Sequence, residues 1–471
     1  MTFSSPGFLF GFMPITFLLY FLLPGWLRNA FLMVASLAFY FVDAGMVSMV
    51  LLGSVVVNAI IGKLIHQLDG APARWLLALG VLANLFPLLY YKYWTFVLHS
   101  MQDAAATLGI PVTWSIASIV LPAGISFFTF QGISYLIDIF RRDVPPARTL
   151  IDFGMYHTLF PQLIAGPIVR YGELQDRIRN RSVGVEDVHA GLLRFCAGLG
   201  KKIIIADSMG VLADRMFGLP SDQLGAGAAW LGTVAYTLQI FFDFSGYSDM
   251  AIGLGRMLGF RFPENFNQPY RSQSITEFWR RWHMTLSRWF RDYLYIPLGG
   301  NRAGPIRTYA NLLIVFVLCG LWHGAAYTFL LWGLFHGALL VMERLAQNHF
   351  GWKPAGLSGW ALTLLLVMFG WVLFRAPTAA AAVDYLKAMW GFGAGVTPNA
   401  VWAVVTPDKM LFLALGVVAA LLPDGWRFTP RVRAGLGMRT SVMSIGAFVM
   451  FAYSAMLIAA NGFNPFIYFR F

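Results

Sequence analysis

Two neighbouring stretches hold the residue types that chemistry needs. The first runs from Arg271 to Arg302, RSQSITEFWRRWHMTLSRWFRDYLYIPLGGNR; the second is the turn Leu321–Trp322–His323–Gly324–Ala325. The first is basic, rich in Trp and too charged to cross a bilayer. The second sets an imidazole inside an almost wholly apolar run. Histidine changes charge near neutral pH, and ionisable groups at membrane depth are costly and tend to face cavities. A charged platform leading to such a group points to chemistry done in the membrane. A lone histidine on an apolar helix is otherwise a packing residue. His336, in the next apolar run, fits that plainer description, as do His66, His99, His157, His189 and His349, in or near loops.

The platform carries helix signals. Ser274-x-x-Glu277 is a capping box, so a helix is predicted to begin there and to end before Pro297. Phe278, Trp279, Trp282, Leu286, Trp289, Phe290 and Tyr293 recur at helical spacing as one apolar face. Arg280, His283, Ser287 and Arg291 line a neighbouring face. Glu277–Arg281 and Arg288–Asp292 stand four apart and can pair. Such a segment serves either as an interfacial helix with a snorkelling basic rim or as the mouth of a site. In the second case Arg280, Arg281, Arg288 and Arg291 suit a phosphate-bearing donor, because the planar guanidinium bonds phosphate bidentately. A coenzyme A ester or an acylated carrier protein is such a donor.

Other polar groups interrupt apolar runs. Asp243 and Asp249 lie within Gln239–Ile–Phe–Phe–Asp243–Phe–Ser–Gly–Tyr–Ser–Asp249. At that depth each needs a partner, and Arg256 is a candidate. Phe160–Pro–Gln–Leu–Ile–Ala–Gly166–Pro167 is broken by Pro and Gly and too short to span. It reads as re-entrant or interfacial, packed on protein or a cavity. Gly320–Leu–Trp–His323–Gly–Ala is echoed by Gly333–Leu–Phe–His336–Gly–Ala. Thirteen residues are roughly 20 Å along a continuous helix, too far for the histidines to share one metal ion. The echo reads as a helical hairpin with Gly on close-packed faces. Cys196 and Cys319 form no metal spacing and imply no disulfide framework.

The elements that must position these groups are membrane helices. Of 471 residues 58% are hydrophobic and 12% charged, against about 25% charged in soluble proteins. Many apolar runs approach the ~20 residues that a span needs. The runs are continuous rather than alternating, which disfavours a barrel. The fold class is therefore all-α and polytopic, with about 10–12 transmembrane helices. The spans fall at 8–23, 28–43, 47–65, 75–97, 115–139, 187–206, 227–256, 306–323, 325–343, 359–376, 410–423 and 441–460. The weakest is 187–206, since Arg194, Lys201 and Lys202 sit in or at the end of it. Phe8–Leu23 lacks a basic n-region and a cleavage site and reads as a retained helix.

Basic loops set the orientation. Arg28, Lys63, Arg74, Arg141, Arg142 and Arg148 flank alternate loops, whereas 44–46 and 98–114 contain no Lys or Arg. This puts the N-terminus outside and 141–186, 257–305 and 424–440 inside, the last with Arg427, Arg431, Arg433 and Arg439. The C-terminus is then outside. The net charge of +12 belongs to these loops, and nucleic acid is not an expected partner.

Together these blocks resemble the membrane-bound O-acyltransferase (MBOAT) family, in the branch that acetylates bacterial exopolysaccharides. The carrying residues are Phe3–Ser–Ser–Pro–Gly–Phe–Leu–Phe, Ser126–Phe–Phe–Thr–Phe–Gln131, Phe160–Pro–Gln–Leu–Ile–Ala–Gly–Pro167, Asp243–Phe–Ser–Gly–Tyr–Ser–Asp249, Asn265–Phe–Asn–Gln–Pro–Tyr270, Phe278–Trp–Arg–Arg–Trp–His283, Pro297–Leu–Gly–Gly–Asn–Arg302 and Leu321–Trp–His–Gly324. The resemblance covers almost the whole chain. It implies a single membrane domain over 1–471, with N-terminal helices (1–100), an acyltransferase core (101–350) and C-terminal helices (351–471).

The resemblance also implies two signature histidines. One, matching His283, lies on the cytoplasmic side. The other, matching His323, is buried at the base of a tunnel and is the family's presumed catalyst. A neutral imidazole would take the proton of a sugar hydroxyl as it attacks a thioester carbonyl, general-base catalysis worth typically ~10²–10⁴-fold. Asn267, His283, Trp322 or an Arg are open as oxyanion donors. No bound cofactor or metal is expected, because the donor thioester, acetyl-CoA or an acyl carrier, is already activated.

The expected setting is the bacterial plasma (inner) membrane, with a periplasmic acetyltransferase partner and a polysaccharide acceptor such as alginate, cellulose or peptidoglycan. The aromatic tail Phe466–Ile–Tyr468–Phe–Arg–Phe471 resembles tails of this branch and of small partners in teichoic-acid D-alanylation. Tyr468 is a candidate acyl relay, the plainer reading being an interfacial aromatic anchor. D-alanyl transfer and lipid acylation are alternatives within the superfamily. A transporter using Asp243, Asp249 and His323 as a proton path is the alternative outside it, though no inverted hydropathy repeat is present.

Overall fold

The computed structural model describes residues 2–110, 114–116, 119–393, 395–423, 438–462 and 464–467. Tyr468, and the basic loop that holds Arg427, Arg431 and Arg433, lie outside the described residues. Among the described residues the regular structure is helical and no strand occurs. In lipid every backbone N–H and C=O must be satisfied within its own segment, and continuous apolar runs do this as helices.

Two compact units divide the chain: residues 1–188 with 254–263, and residues 189–253 with 264–471. In the first unit, α1 (Arg28–Ala44), α2 (Ser48–Gln67), α3 (Gly70–Leu88), α4 (Ile125–Phe140) and α5 (Leu150–Thr158) form the main body. α2, α3 and α4 pack on one another, and α5 packs on α1 and α2. Asn58 and Asn84, buried between α2 and α3, exchange amide hydrogen bonds of 2.9 and 2.8 Å. Each amide satisfies the other, which removes the cost of burying them apart. The predicted span 115–139 begins later than expected, at Ile125. Pro122 cannot sit in a helix interior, and Gly124 takes φ 76° just before the first turn.

The second unit holds α6 (Val185–Gly200, entered from the first unit), the long α7 (Ala226–Met257), α8 (Ile275–Arg281), α9 (Met284–Phe290), α10 (Gly304–His323), α11 (Tyr327–Phe350), α12 (Gly356–Arg375), α13 (Pro407–Leu421) and α14 (Met438–Asn461). α10 and α11 form the predicted hairpin, and α12 packs on α11. A Cβ on Gly320 would stand 2.2 Å from the Phe329 carbonyl oxygen, and one on Gly333 2.3 Å from that of Phe316. Only glycine allows the two backbones to meet this closely. α11 ends at Gly351, whose φ of 61° gives the left-handed cap that glycine supplies at least cost.

Among the described residues six stretches are long and apolar enough to cross a membrane: Gly25–Gln67, Gly70–Thr107, Gly304–His323, Tyr327–Phe350, Gly356–Arg375 and Ser441–Ala460. Phe8–Leu22 and Ile125–Phe140 are shorter apolar helices. α6 does not stop at Gly200. It continues through a π-helical turn, Lys201–Ala206, into a helix over Asp207–Phe217. Such turns often mark functional positions, and this one carries the two lysines that made the span look weak.

Candidate active site

The platform is not one helix. Ser274 caps α8 by accepting the Glu277 N–H at 3.1 Å, and Glu277 holds Arg281 at 2.8 Å, both as predicted. The helix then stops. His283 has φ 42° and ψ 54°, a left-handed conformation uncommon for a residue with a side chain. α9 starts again at Met284. The expected continuous face joining Arg280, His283, Ser287 and Arg291 is therefore broken at its middle. The cause is long-range: the Met284 N–H donates to the Asn265 carbonyl at 2.9 Å instead of to a carbonyl one turn back.

Asn265 also grips the His283 side chain. His283 Nδ1 lies 3.0 Å from Asn265 Oδ1. The same oxygen meets Thr285 Oγ1 at 2.9 Å and Thr285 N at 3.3 Å. Asn265 Nδ2 donates to Ser248 Oγ at 3.1 Å. Phe244 sets its ring against His283 edge to face, with centroids 4.7 Å apart. His283 is only 1% exposed, and burial pushes its imidazole down to about 3, so it is neutral at ordinary pH. Strain of this kind, held by surrounding contacts, gathers at functional sites.

His323 closes α10. It is 5% exposed and walled by Trp322, Trp332 and Phe374, with ring centroids 4.9, 5.1 and 5.1 Å away. Trp322 packs on His283 as well, at 5.9 Å. One indole thus stands against both histidines. The structure brings together three residues singled out from sequence: His283, Trp322 and His323. His336 is fully buried among Trp279, Trp332 and Phe335.

The aspartates find partners, but not Arg256. Asp249 meets Arg194 at 2.8 Å and Lys201 at 2.6 Å, and Arg194 also reaches Glu264. Asp243 meets Lys202 at 3.1 Å, and Lys202 also bonds Asp207. Arg256 pairs with Asp187 instead. Seven residues along one helix are about 10 Å, beyond direct reach of Asp249. The three cations that weakened the 187–206 span are the partners the two aspartates required. A pocket of about 70 Å³ lies beside them, lined by Arg194, Lys201, Ser248, Asp249, Glu264 and Asn265 among others.

The arginine set is divided. Arg281 is bound to Glu277 and to the Asn267 carbonyl, and the exposed Arg291 to Asp292. Asn267 in turn gives its backbone N–H to the Arg281 carbonyl. Arg288 is half-buried. Arg280 lines a separate pocket of about 390 Å³ with Thr276, Asn301, Glu343 and Arg344. Glu343 also accepts the Ile275 N–H at 2.8 Å, at the start of α8. Sequence reasoning passed over Asn265 and Arg344. Asn265 stood inside a quoted motif, two residues from Asn267, and nothing in its spacing betrayed its bond to residue 283.

A last segment reaches the same aromatic shell. Phe466 is buried, stacked on Tyr247 at 4.7 Å and 5.8 Å from Phe244. Ile467 is buried too, and its N–H donates to Asp243 Oδ2 at 2.7 Å. Phe244 therefore touches the tail on one side and His283 on the other.

Comparisons with known proteins bear on this arrangement. Residues 148–381 match the model of MBOAT, the membrane-bound O-acyltransferase family. The chain is 40% identical to "Probable alginate O-acetylase AlgI" of Azotobacter vinelandii, covering 100% of both chains. It is 46% identical to the protein of the same description in Pseudomonas aeruginosa, covering 83% of this chain and 75% of the relative. Against "Peptidoglycan O-acetyltransferase" of Helicobacter pylori the identity is 37%, over 83% and 80%. With its membrane helices and its pair of buried histidines, the chain belongs to the membrane-bound O-acyltransferase family and is an integral membrane acyltransferase.

Proposed function

We propose that the chain moves an acetyl group from a cytoplasmic thioester, acetyl-CoA or an acyl carrier protein, toward hydroxyls of an extracytoplasmic polysaccharide. An alginate-like exopolysaccharide is the first acceptor to test, and peptidoglycan the second. The observation that carries this reading is the pair of buried imidazoles that both pack against Trp322, in a chain similar from end to end to a probable alginate O-acetylase. In this reading His323 takes the proton of the attacking hydroxyl. The C–O bond forms, the C–S bond breaks, and the departing thiolate recovers the proton from the imidazolium. The thioester supplies its own activation. The setting is the bacterial inner membrane, with a periplasmic acetyltransferase completing delivery.

Tyr468 is part of the same proposal. It follows Ile467, whose backbone is bonded to Asp243, and Phe466 shares Phe244 with His283. The tyrosine hydroxyl would accept the acetyl group as an ester and release it to the acceptor hydroxyl in a second displacement, dividing one transfer into two.

The test is purified protein in nanodiscs with radiolabelled acetyl-CoA, with and without polysaccharide. Wild type should turn the donor over and His323→Ala should not. Absence of turnover for wild type under every condition, with an added periplasmic partner included, would reject acetyl transfer from this donor.

A further inference from the structure

We infer that Asn265 is a positioning residue that fixes His283 in the tautomer with hydrogen on Nδ1, leaving Nε2 as a bare acceptor. The proposal rests on the acyltransferase reading for its role in catalysis, but not for the tautomer itself.

One group at this site has no choice of role. The Thr285 backbone N–H can only donate. It lies 3.3 Å from the Asn265 side-chain oxygen. If the amide were turned over, an NH₂ would face that N–H, donor against donor. The oxygen of Asn265 therefore points at Thr285 and at His283. Its nitrogen points at Ser248 Oγ, 3.1 Å away, which can accept. With an oxygen opposite it at 3.0 Å, His283 Nδ1 must carry the hydrogen. In a neutral imidazole the other nitrogen then holds a lone pair.

That nitrogen has no hydrogen-bond partner among the described residues and is fully shielded from solvent. An unpaired buried acceptor costs stability, and the backbone at His283 is held in a left-handed conformation as well. Two costs at one residue mark a position kept for a ligand. The chemistry of the bare nitrogen names the ligand's contribution: a hydrogen-bond donor on a bound substrate, the proton of the attacking hydroxyl still going to His323. It also removes His283 from the possible oxyanion donors, since a lone pair repels an oxyanion. The sequence had left that choice open among Asn267, His283, Trp322 and an Arg.

The tautomer is read directly by ¹⁵N-histidine NMR of the full-length protein in nanodiscs, with the His283 signals assigned by their loss in His283→Gln. A protonated Nδ1 and a bare Nε2 at neutral pH are expected. A hydrogen on Nε2 would overturn the proposal. Activity is the second readout. Asn265→Leu should lower kcat by about 10²-fold, the order expected when a positioning group is misplaced, with KM nearly unchanged. Asn265→Asp keeps an oxygen facing Nδ1 and should restore most of kcat. Wild-type kcat in Asn265→Leu, or no rescue by a well-folded Asn265→Asp, would count against the positioning role. Should wild type turn over no donor at all, the acyltransfer reading fails, while the NMR result still decides the tautomer.

Discussion

The backbone N–H of Ile467 donates to the Asp243 carboxylate at 2.7 Å, and the same carboxylate faces Lys202 at 3.1 Å. One buried acid thereby holds both a helix turn and the tail. Lys202 and Asp243 are 4% and 3% exposed in their side chains. Leaving a buried charge wholly uncompensated costs about 3–5 kcal/mol; Lys202 keeps Asp207, so the loss here lies below that ceiling. Asp243→Leu should therefore lower the melting temperature in detergent and expose the tail to carboxypeptidase. Asp243→Asn keeps an acceptor for the Ile467 N–H and should protect the tail better than Leu does. Equal digestion of both variants and wild type would show that this bond does not seat the tail.

Asp249 is bound to two cations, Arg194 and Lys201. Asp249→Ala would leave positive charge gathered beside the pocket, with Glu264 as its remaining acid. A melting temperature well below that of wild type is expected. Arg194→Met, which removes a cation but keeps an apolar stem, should partly restore stability to Asp249→Ala. Strictly additive losses in the double variant would show that the two residues are not coupled.

The glycine contact between α10 and α11 leaves no room for a methyl group. Gly320→Ala puts a Cβ 2.2 Å from a backbone oxygen, which cannot swing aside as a side chain can. Overpacking of this kind costs about 1–3 kcal/mol. Because His323 ends α10, donor turnover should fall along with the melting temperature. Wild-type values of both in the purified variant would contradict the close packing.

His283 gives stability a pH dependence of definite sign. Its folded value is lowered from 6.5 to about 3. Between those values the unfolded chain binds a proton that the native chain refuses. Stability is then complete above pH 6.5 and is lost as pH falls toward 3, by at most about 1.4 kcal/mol per pH unit. His157, buried against Ser54 and lowered to about 3, acts in the same direction. His283→Gln should flatten the acid limb of a melting-temperature profile. An unchanged limb would mean that His283 is protonated in the native state.

Tyr468→Phe tests the proposed relay. It keeps the aromatic ring and removes only the hydroxyl. Label from acetyl-CoA should no longer be trapped on the protein, and acceptor acetylation should stop while protein level stays normal. Full acceptor acetylation by this variant would reject the relay.

Much of this was legible in the chain. Apolar run lengths placed most of the helices within a few residues, though 115–139 starts ten residues early and 187–206 runs on to Phe217, and Ser274 marked the start of α8 because a cap is a local event. The Glu277–Arg281 pair and the glycine echo were legible for the same reason: three, four or thirteen residues along one hairpin are fixed by helix geometry. The break at His283 was not. No Pro or Gly announces it, and the bonds that cause it come from Asn265. The partners of Asp243 and Asp249 were present in the reading as misfits, Lys202, Lys201 and Arg194 in a weak span. Joining the two sets required the packing of α6 and α7, which no local pattern carries. Arg256 was preferred only because it was near in sequence.

Trp322 has a consequence for the wiring of the site. A proton can be handed along a chain only by groups that both take and give one. An indole donates from its N–H and has no lone pair with which to accept. Packed against both His283 and His323, Trp322 is an insulator. Through it the two imidazoles cannot exchange a proton, and each can hold its own charge state while the other changes. Two displacements in sequence would need such separate circuits.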